Sequence, residues 1–126
     1  MLADIKAFSG FAVDDLKQAE EFYGETLSLK TELLDEENGL LTLHLAGDRD
    51  TLIYRSPGFT PASYTILNFP VDDIDQAVDD LSARGVSFER YDGMPQDEKG
   101  VMREGGPLIA WFKDPAGNTL SVLQER

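Results

Sequence analysis

Apolar and polar positions along the chain fall into two similar series. Residues 5–13, IKAFSGFAV, form an apolar run closed by the acidic pair Asp14-Asp15 and predict a strand. Leu16, Ala19, Phe22 and Tyr23 then recur on one helical stripe, extended by Leu27 and loosened near Gly24. Asp14 or Asp15 serves as the N-cap, its carboxylate accepting from open N–H groups of the first turn. Residues 29–35, 40–46 and 51–55 predict three further strands, divided by the turns around Asn38-Gly39 and Gly47-Asp48. Within LLTLHLA, Thr42 and His44 alternate with the leucines, as in a half-buried strand.

After SPGFTP at 56–61, which reads as a linker, the order restarts. Residues 64–71 predict a strand, and Asp72-Asp73 precede a helix bearing Ile74, Ala77, Val78 and Leu81 on one face, ended by Gly85. Strands follow at 86–91, 108–113 and 119–124. Between the first two lies a long polar, glycine-rich loop at 92–106, of a length that is often functional. FAVDDLKQA (11–19) and FPVDDIDQA (69–77) match at a constant offset (69 − 11 = 58). DTLIYR (50–55) aligns with NTLSVL (118–123) at an offset of 68 (118 − 50), so the second copy holds ten extra residues (68 − 58), mostly in the 92–106 loop. The expectation is an α+β fold of two tandem βαβββ units, about 5–55 and 64–124, forming a single domain.

Composition narrows the functions. At 126 residues and 41% hydrophobic, the chain has the size and apolar content for a packed core. Its formal net charge of −13 opposes a phosphate backbone or an anionic membrane and favours a cationic ligand. No apolar run approaches the roughly 20 residues needed to span a bilayer, and no leader pattern is visible. The absence of cysteine removes disulfides, thiolate ligands and a thiol nucleophile. A cytoplasmic protein is the expectation.

Three motifs carry a family resemblance over the full chain: V-D-D-L followed by Phe22-Tyr23, V-D-D-I at 71–74, and F-K-D-P-A-G-N at 112–118. With the doubled unit, they resemble the vicinal oxygen chelate superfamily, the glyoxalase / bleomycin-resistance / extradiol dioxygenase group. The resemblance implies curled mixed sheets around a U-shaped cavity, with helices outside. The motifs themselves are structural: two helix caps, and a tight turn in which proline presets φ and Gly117 or Asn118 tolerates positive φ. They do not identify a reaction.

In metal-dependent relatives, His or Glu ligands occupy the first and last strands of each unit. The resemblance places those positions at Phe8 and Ile66 (15 − 7 and 73 − 7), Ile53 and Ser121. Three cannot coordinate a divalent ion and the fourth is a poor ligand, so neither a metal nor another cofactor is expected. Phe8, Ile53 and Ile66 instead make an apolar floor, leaving either an open pocket or a filled core.

Other candidates on that cavity follow from strand alternation. His44, the one histidine, points opposite to its neighbouring leucines and is available as a base or hydrogen-bond donor. Asn68 and Tyr64 share the face of Ile66. Only one of Trp111 and Phe112 can face the cavity. In the loop, Met94 and Met102 suit an adaptable surface, and Arg103 suits a ligand carboxylate. The expected function is metal-free binding of a small cationic or aromatic molecule, as in bleomycin-resistance-type proteins that work as homodimers. The alternative is a divergent glyoxalase-like lyase, isomerase or dioxygenase.

Overall fold

In the computed structural model, which describes residues 1–126, seven strands and two α-helices alternate. They are β1 (Ser9–Val13), α1 (Leu16–Glu21), β2 (Lys30–Asp35), β3 (Leu40–Leu45), β4 (Arg49–Arg55), β5 (Thr65–Pro70), α2 (Ile74–Ala83), β6 (Leu108–Lys113) and β7 (Thr119–Gln124). The α+β class and tandem arrangement stand as expected. The chain divides into two compact units, Met1–Thr60 and Pro61–Arg126, with the division inside the 56–61 linker.

In the first unit the sheet runs β1-β4-β3-β2, with β1 parallel to β4 and the other pairs antiparallel. Phe11, Val13, Leu41, Leu43 and Ile53 lie on one face and are buried with Leu16, Ala19 and Tyr23 of the helical segment. The Phe11 and Tyr23 rings meet at 5.6 Å between centroids. Asp15 caps α1, its carboxylate accepting from Gln18 N at 3.0 Å. The helix is shorter than its apolar stripe implied. From Phe22 to Thr26 the backbone widens into a π-turn, with Leu27 N donating to Phe22 O at 2.9 Å. The first strand also starts later than predicted: pairing with β4 begins at Ser9, and residues 5–8 form no ladder pair after the 3₁₀ turn at Leu2–Asp4.

The second unit repeats the plan with the order β5-β7-β6, β5 parallel to β7 and β6 antiparallel to it. Ile74 and Val78 of α2 are buried with Ala110, Phe112, Leu120 and Val122, which project from one sheet face. Asp73 caps α2 through Gln76 N at 3.1 Å, and Gln124 Oε1 accepts from Ile74 N at 2.9 Å.

Residues 86–91 depart from the predicted strand. Only Phe88 forms a bridge, to Phe112, and Glu89 N donates to Trp111 O. The Gln96 side chain takes the backbone groups a continuing strand would use: Tyr91 N donates to its Oε1, and its Nε2 donates to the Glu89 and Gly100 carbonyls. Side-chain amide pairing replaces the ladder there, and the 92–106 loop is thereby ordered. Before β7, the Asp114–Asn118 turn brings Gly117 to φ +97°, where an added Cβ would also press on Pro61 at 3.2 Å.

Candidate functional site

Each sheet has one face covered by its helix and one face turned away from it. In the second unit, the latter face carries a row across all three strands: Asn68 pairs with Ser121, and Ser121 with Trp111. Directly opposite residues point to the same side, so these three share one surface. Ser121 is fully buried, and its hydroxyl donates to Asn68 Oδ1 at 2.6 Å. Trp111 is half-buried and meets Tyr91 edge-on at 5.5 Å between centroids. Burial raises the Tyr91 phenol pKa, assisted by Glu89 and opposed by a hydrogen bond with Thr119. Met102 reaches the same face at its edge, its N–H donating to Ile109 O at 2.8 Å and its carbonyl accepting from Ile109 N at 3.2 Å. The alternation left open between Trp111 and Phe112 resolves here: Phe112 is core and Trp111 faces away from α2.

The remaining candidates separate. Tyr64 and Phe8 lie just outside their strands, each 71% exposed. Ile66 is half-buried at a register shift between Thr65 and Leu67. Ile53 is a correction: it is fully buried beside Phe11 on the face that α1 covers. The cause is a one-residue slip. β1 meets β4 as Gly10–Leu52, and β5 meets β7 as Asn68–Ser121, so the counterpart of Ser121 is Leu52. A slip of one residue moves a side chain to the opposite face. The four positions thus hold Phe8, Leu52, Ile66 and Ser121, which offer one hydroxyl and no imidazole or carboxylate; this set does not fit a divalent ion.

Arg103, expected to hold a ligand carboxylate, holds two of the chain's own. Its Nε donates to Asp97 Oδ2 at 2.8 Å and its Nη2 to Asp75 Oδ1 at 2.6 Å. The guanidinium lowers the Asp75 pKa, while Lys99 bonds Asp79 alongside. The pairs tie the 92–106 loop to α2.

His44 lies opposite Leu41 and Leu43, as its alternation requires, but it is engaged. Nδ1 is 2.9 Å from Asp50 and Nε2 is 3.0 Å from Glu32. Two carboxylates call for two N–H donors, which only the imidazolium has. Asp50 first, then Glu32, raises the pKa above its ordinary 6.5. So held, the ring has no lone pair to act as a base. Folding binds this proton more tightly, so the bridge's contribution to stability is complete below about pH 6.5 and is lost as pH rises through the folded value. The Cε1–H resonance of this single histidine is expected to titrate above 6.5; a midpoint at or below that value contradicts the bridge.

Sequence reasoning missed a cleft of about 550 Å3 in the first unit, beside the start of α1. Asp14, Asp15, Glu20 and Glu36 line it against Lys17 and Arg55. Asp14 to Lys17 and Glu20 belong to the start of α1, while Leu33, Glu36 and Arg55 join them only through the fold. No helix is long and apolar enough to cross a membrane.

Comparison with known proteins agrees with this architecture. An uncharacterized protein, YraH of Bacillus subtilis (strain 168), is 30% identical over 125 residues, covering 89% of this chain and 91% of that one. TnmS3, an antibiotic binding protein from Streptomyces sp. CB03234, has 25% identity and a TM-score of 0.68 over 98% of both chains. The fosfomycin resistance protein FosX from Listeria monocytogenes shares the fold, with 15% identity and a TM-score of 0.70 over 95% of this chain and 92% of its own. The family model described as Glyoxalase/Bleomycin resistance protein/Dioxygenase superfamily matches residues 7–122, and the chain belongs to that superfamily.

Proposed function

We propose that the protein binds a small planar organic molecule, aromatic or cationic, on the face of its second unit turned away from α2, and does so without a metal ion. The observation that carries this is the row Asn68–Ser121–Trp111, which sets a part-exposed indole in line with an amide, the two flanking the buried hydroxyl that anchors the amide. An aromatic face next to a few placed polar groups is the usual composition of a small-molecule site. Trp is also the best aromatic partner for a cation, which the charge of −13 attracts. The antibiotic-binding description of TnmS3 supports a binding role over a catalytic one. The proposal includes a cytoplasmic, homodimeric protein whose units act as one domain. Large exposed apolar side chains at Phe8 and Tyr64 supply surface for pairing.

Titration with a planar cation such as N-methylquinolinium tests the site. The indole N–H resonance of Trp111, the one tryptophan, is expected to move saturably, and the melting temperature to rise with ligand concentration. Perturbations centred on residues 14–20, along the acidic cleft, would overturn the placement. Adding Ni²⁺, Zn²⁺ or Fe²⁺ to chelator-treated protein is expected to leave the melting temperature unchanged. Stoichiometric retention of any of these ions would overturn the metal-free part.

A further inference from the structure

We propose that the second unit selects ligands bearing a hydrogen-bond acceptor, a carbonyl or equivalent oxygen, through the Asn68 side-chain NH₂, with Ser121 as the residue that positions it. This rests on the binding role proposed above and specifies its chemistry.

An asparagine amide has two faces, one accepting and one donating, and an untethered one can turn either toward a ligand. Here the oxygen is turned to the sheet and one of its two lone pairs is taken. The buried Ser121 hydroxyl lies 2.6 Å from Asn68 Oδ1. That separation fits O–H···O, for which about 2.7 Å is usual, and is shorter than an N–H···O bond, which centres near 2.9 Å. Turning the amide over would place Nδ2 at that distance and leave the buried hydroxyl proton without this acceptor, which is unfavourable in a buried position. The hydroxyl therefore sets the amide with its NH₂ outward. Asn68 is exposed, and its NH₂ makes no hydrogen bond within the protein.

The neighbours point the same way. The Trp111 indole, across Ser121 in the same row, has an N–H donor and no acceptor. Lys113 follows on the same face, its ammonium 3.7 Å from Glu89. The Tyr91 hydroxyl is occupied with Thr119. The Glu89 carboxylate faces the Lys113 ammonium, and the other polar groups of the row, the Asn68 NH₂ and the indole N–H, are donors. A planar ligand lying on Trp111 meets them with an acceptor; a ligand with only donors leaves the Asn68 NH₂ and the indole N–H unpaired.

A matched pair of probes tests this: the N-methylpyridinium cations carrying a 4-acetyl or a 4-ethyl group. They have equal charge and similar shape, and only the first has the carbonyl. The Trp111 indole resonance reports occupancy by either, and the Asn68 NH₂ resonances report the hydrogen bond. The wild-type protein is expected to bind the acetyl probe about five-fold tighter. The Asn68 NH₂ signals should move with it alone. Asn68→Asp keeps the shape, retains an acceptor for Ser121 and turns an oxygen outward, so the preference is expected to disappear or invert. Ser121→Ala frees the amide and should bring the ratio of dissociation constants near one while the indole still reports binding. Equal affinities in the wild type with unmoved Asn68 signals would overturn the acceptor preference and leave the binding site standing. Failure of both probes to move Trp111 would overturn both. A Ser121→Ala variant that keeps the wild-type ratio would remove Ser121 from its positioning role. Unchanged backbone spectra away from the row show that the variants fold.

Discussion

Replacing Asp114 with alanine is expected to lower the free energy of unfolding by about 3 kcal/mol, from a residue that touches no ligand. Its side chain is almost fully buried in the turn before β7. Oδ1 accepts from Ala116 N at 3.0 Å and Asn118 N at 2.8 Å, and Oδ2 accepts from the Asn118 amide at 3.1 Å. Asn118 Oδ1 in turn accepts from Ala62 N. Removing the carboxylate removes three hydrogen bonds from a largely buried turn, and each such loss costs about 1–3 kcal/mol. It also loosens Asn118, which ties the turn back to the segment before β5. Urea unfolding measures the effect as a lower midpoint at constant slope. Asp114→Asn, which keeps one acceptor oxygen, should lose less. A loss below about 1 kcal/mol for alanine would mean that the turn holds its shape without the carboxylate.

Ile53→Ala is expected to cost about 3 kcal/mol through lost burial and the cavity left behind. The side chain is fully enclosed beside Phe11, Leu41 and the α1 segment. Ile66→Ala, at a half-buried position, should cost clearly less. The comparison distinguishes a core residue from a cavity floor. A core residue loses stability and leaves probe affinity at Trp111 unchanged; a floor residue does the opposite. Near-wild-type stability for Ile53→Ala would restore it to the ligand-facing side.

Much of the scaffold was legible because its signals are local. Both V-D-D pairs place a capping carboxylate where a strand gives way to a helix, and Asp15 and Asp73 perform that task with the same geometry. The turn at 114–118 follows from its own five residues. What failed depended on partners distant in sequence. VSFERY alternates like a strand, but the Gln96 side chain intercepts its backbone groups. Aligning the two last strands by their shared Thr-Leu gave an offset of 68, whereas the pairing with β1 and β5 requires 69 (121 − 52). Only the hydrogen-bonded register carries that single residue. Asn68 and Ser121 were legible as facing one surface, but their mutual bond spans 53 residues and has no local signature. The same holds for Arg103, whose two carboxylate partners appear only once the loop lies on α2.

The strand orders have a consequence for synthesis. In each unit the last strand to leave the ribosome is the one that pairs with the first: β4 joins β1, and β7 lies between β5 and β6. β5 is therefore translated about 50 residues before anything can pair with it, since its ladder runs to 119–123. Until then α2 has half a floor, and Asn68 has no hydroxyl to hold its amide. The second unit is closed like an arch, by the stone set last. A chain stopped before residue 119 would keep most of that unit's residues and none of the β5-β7 and β7-β6 pairing.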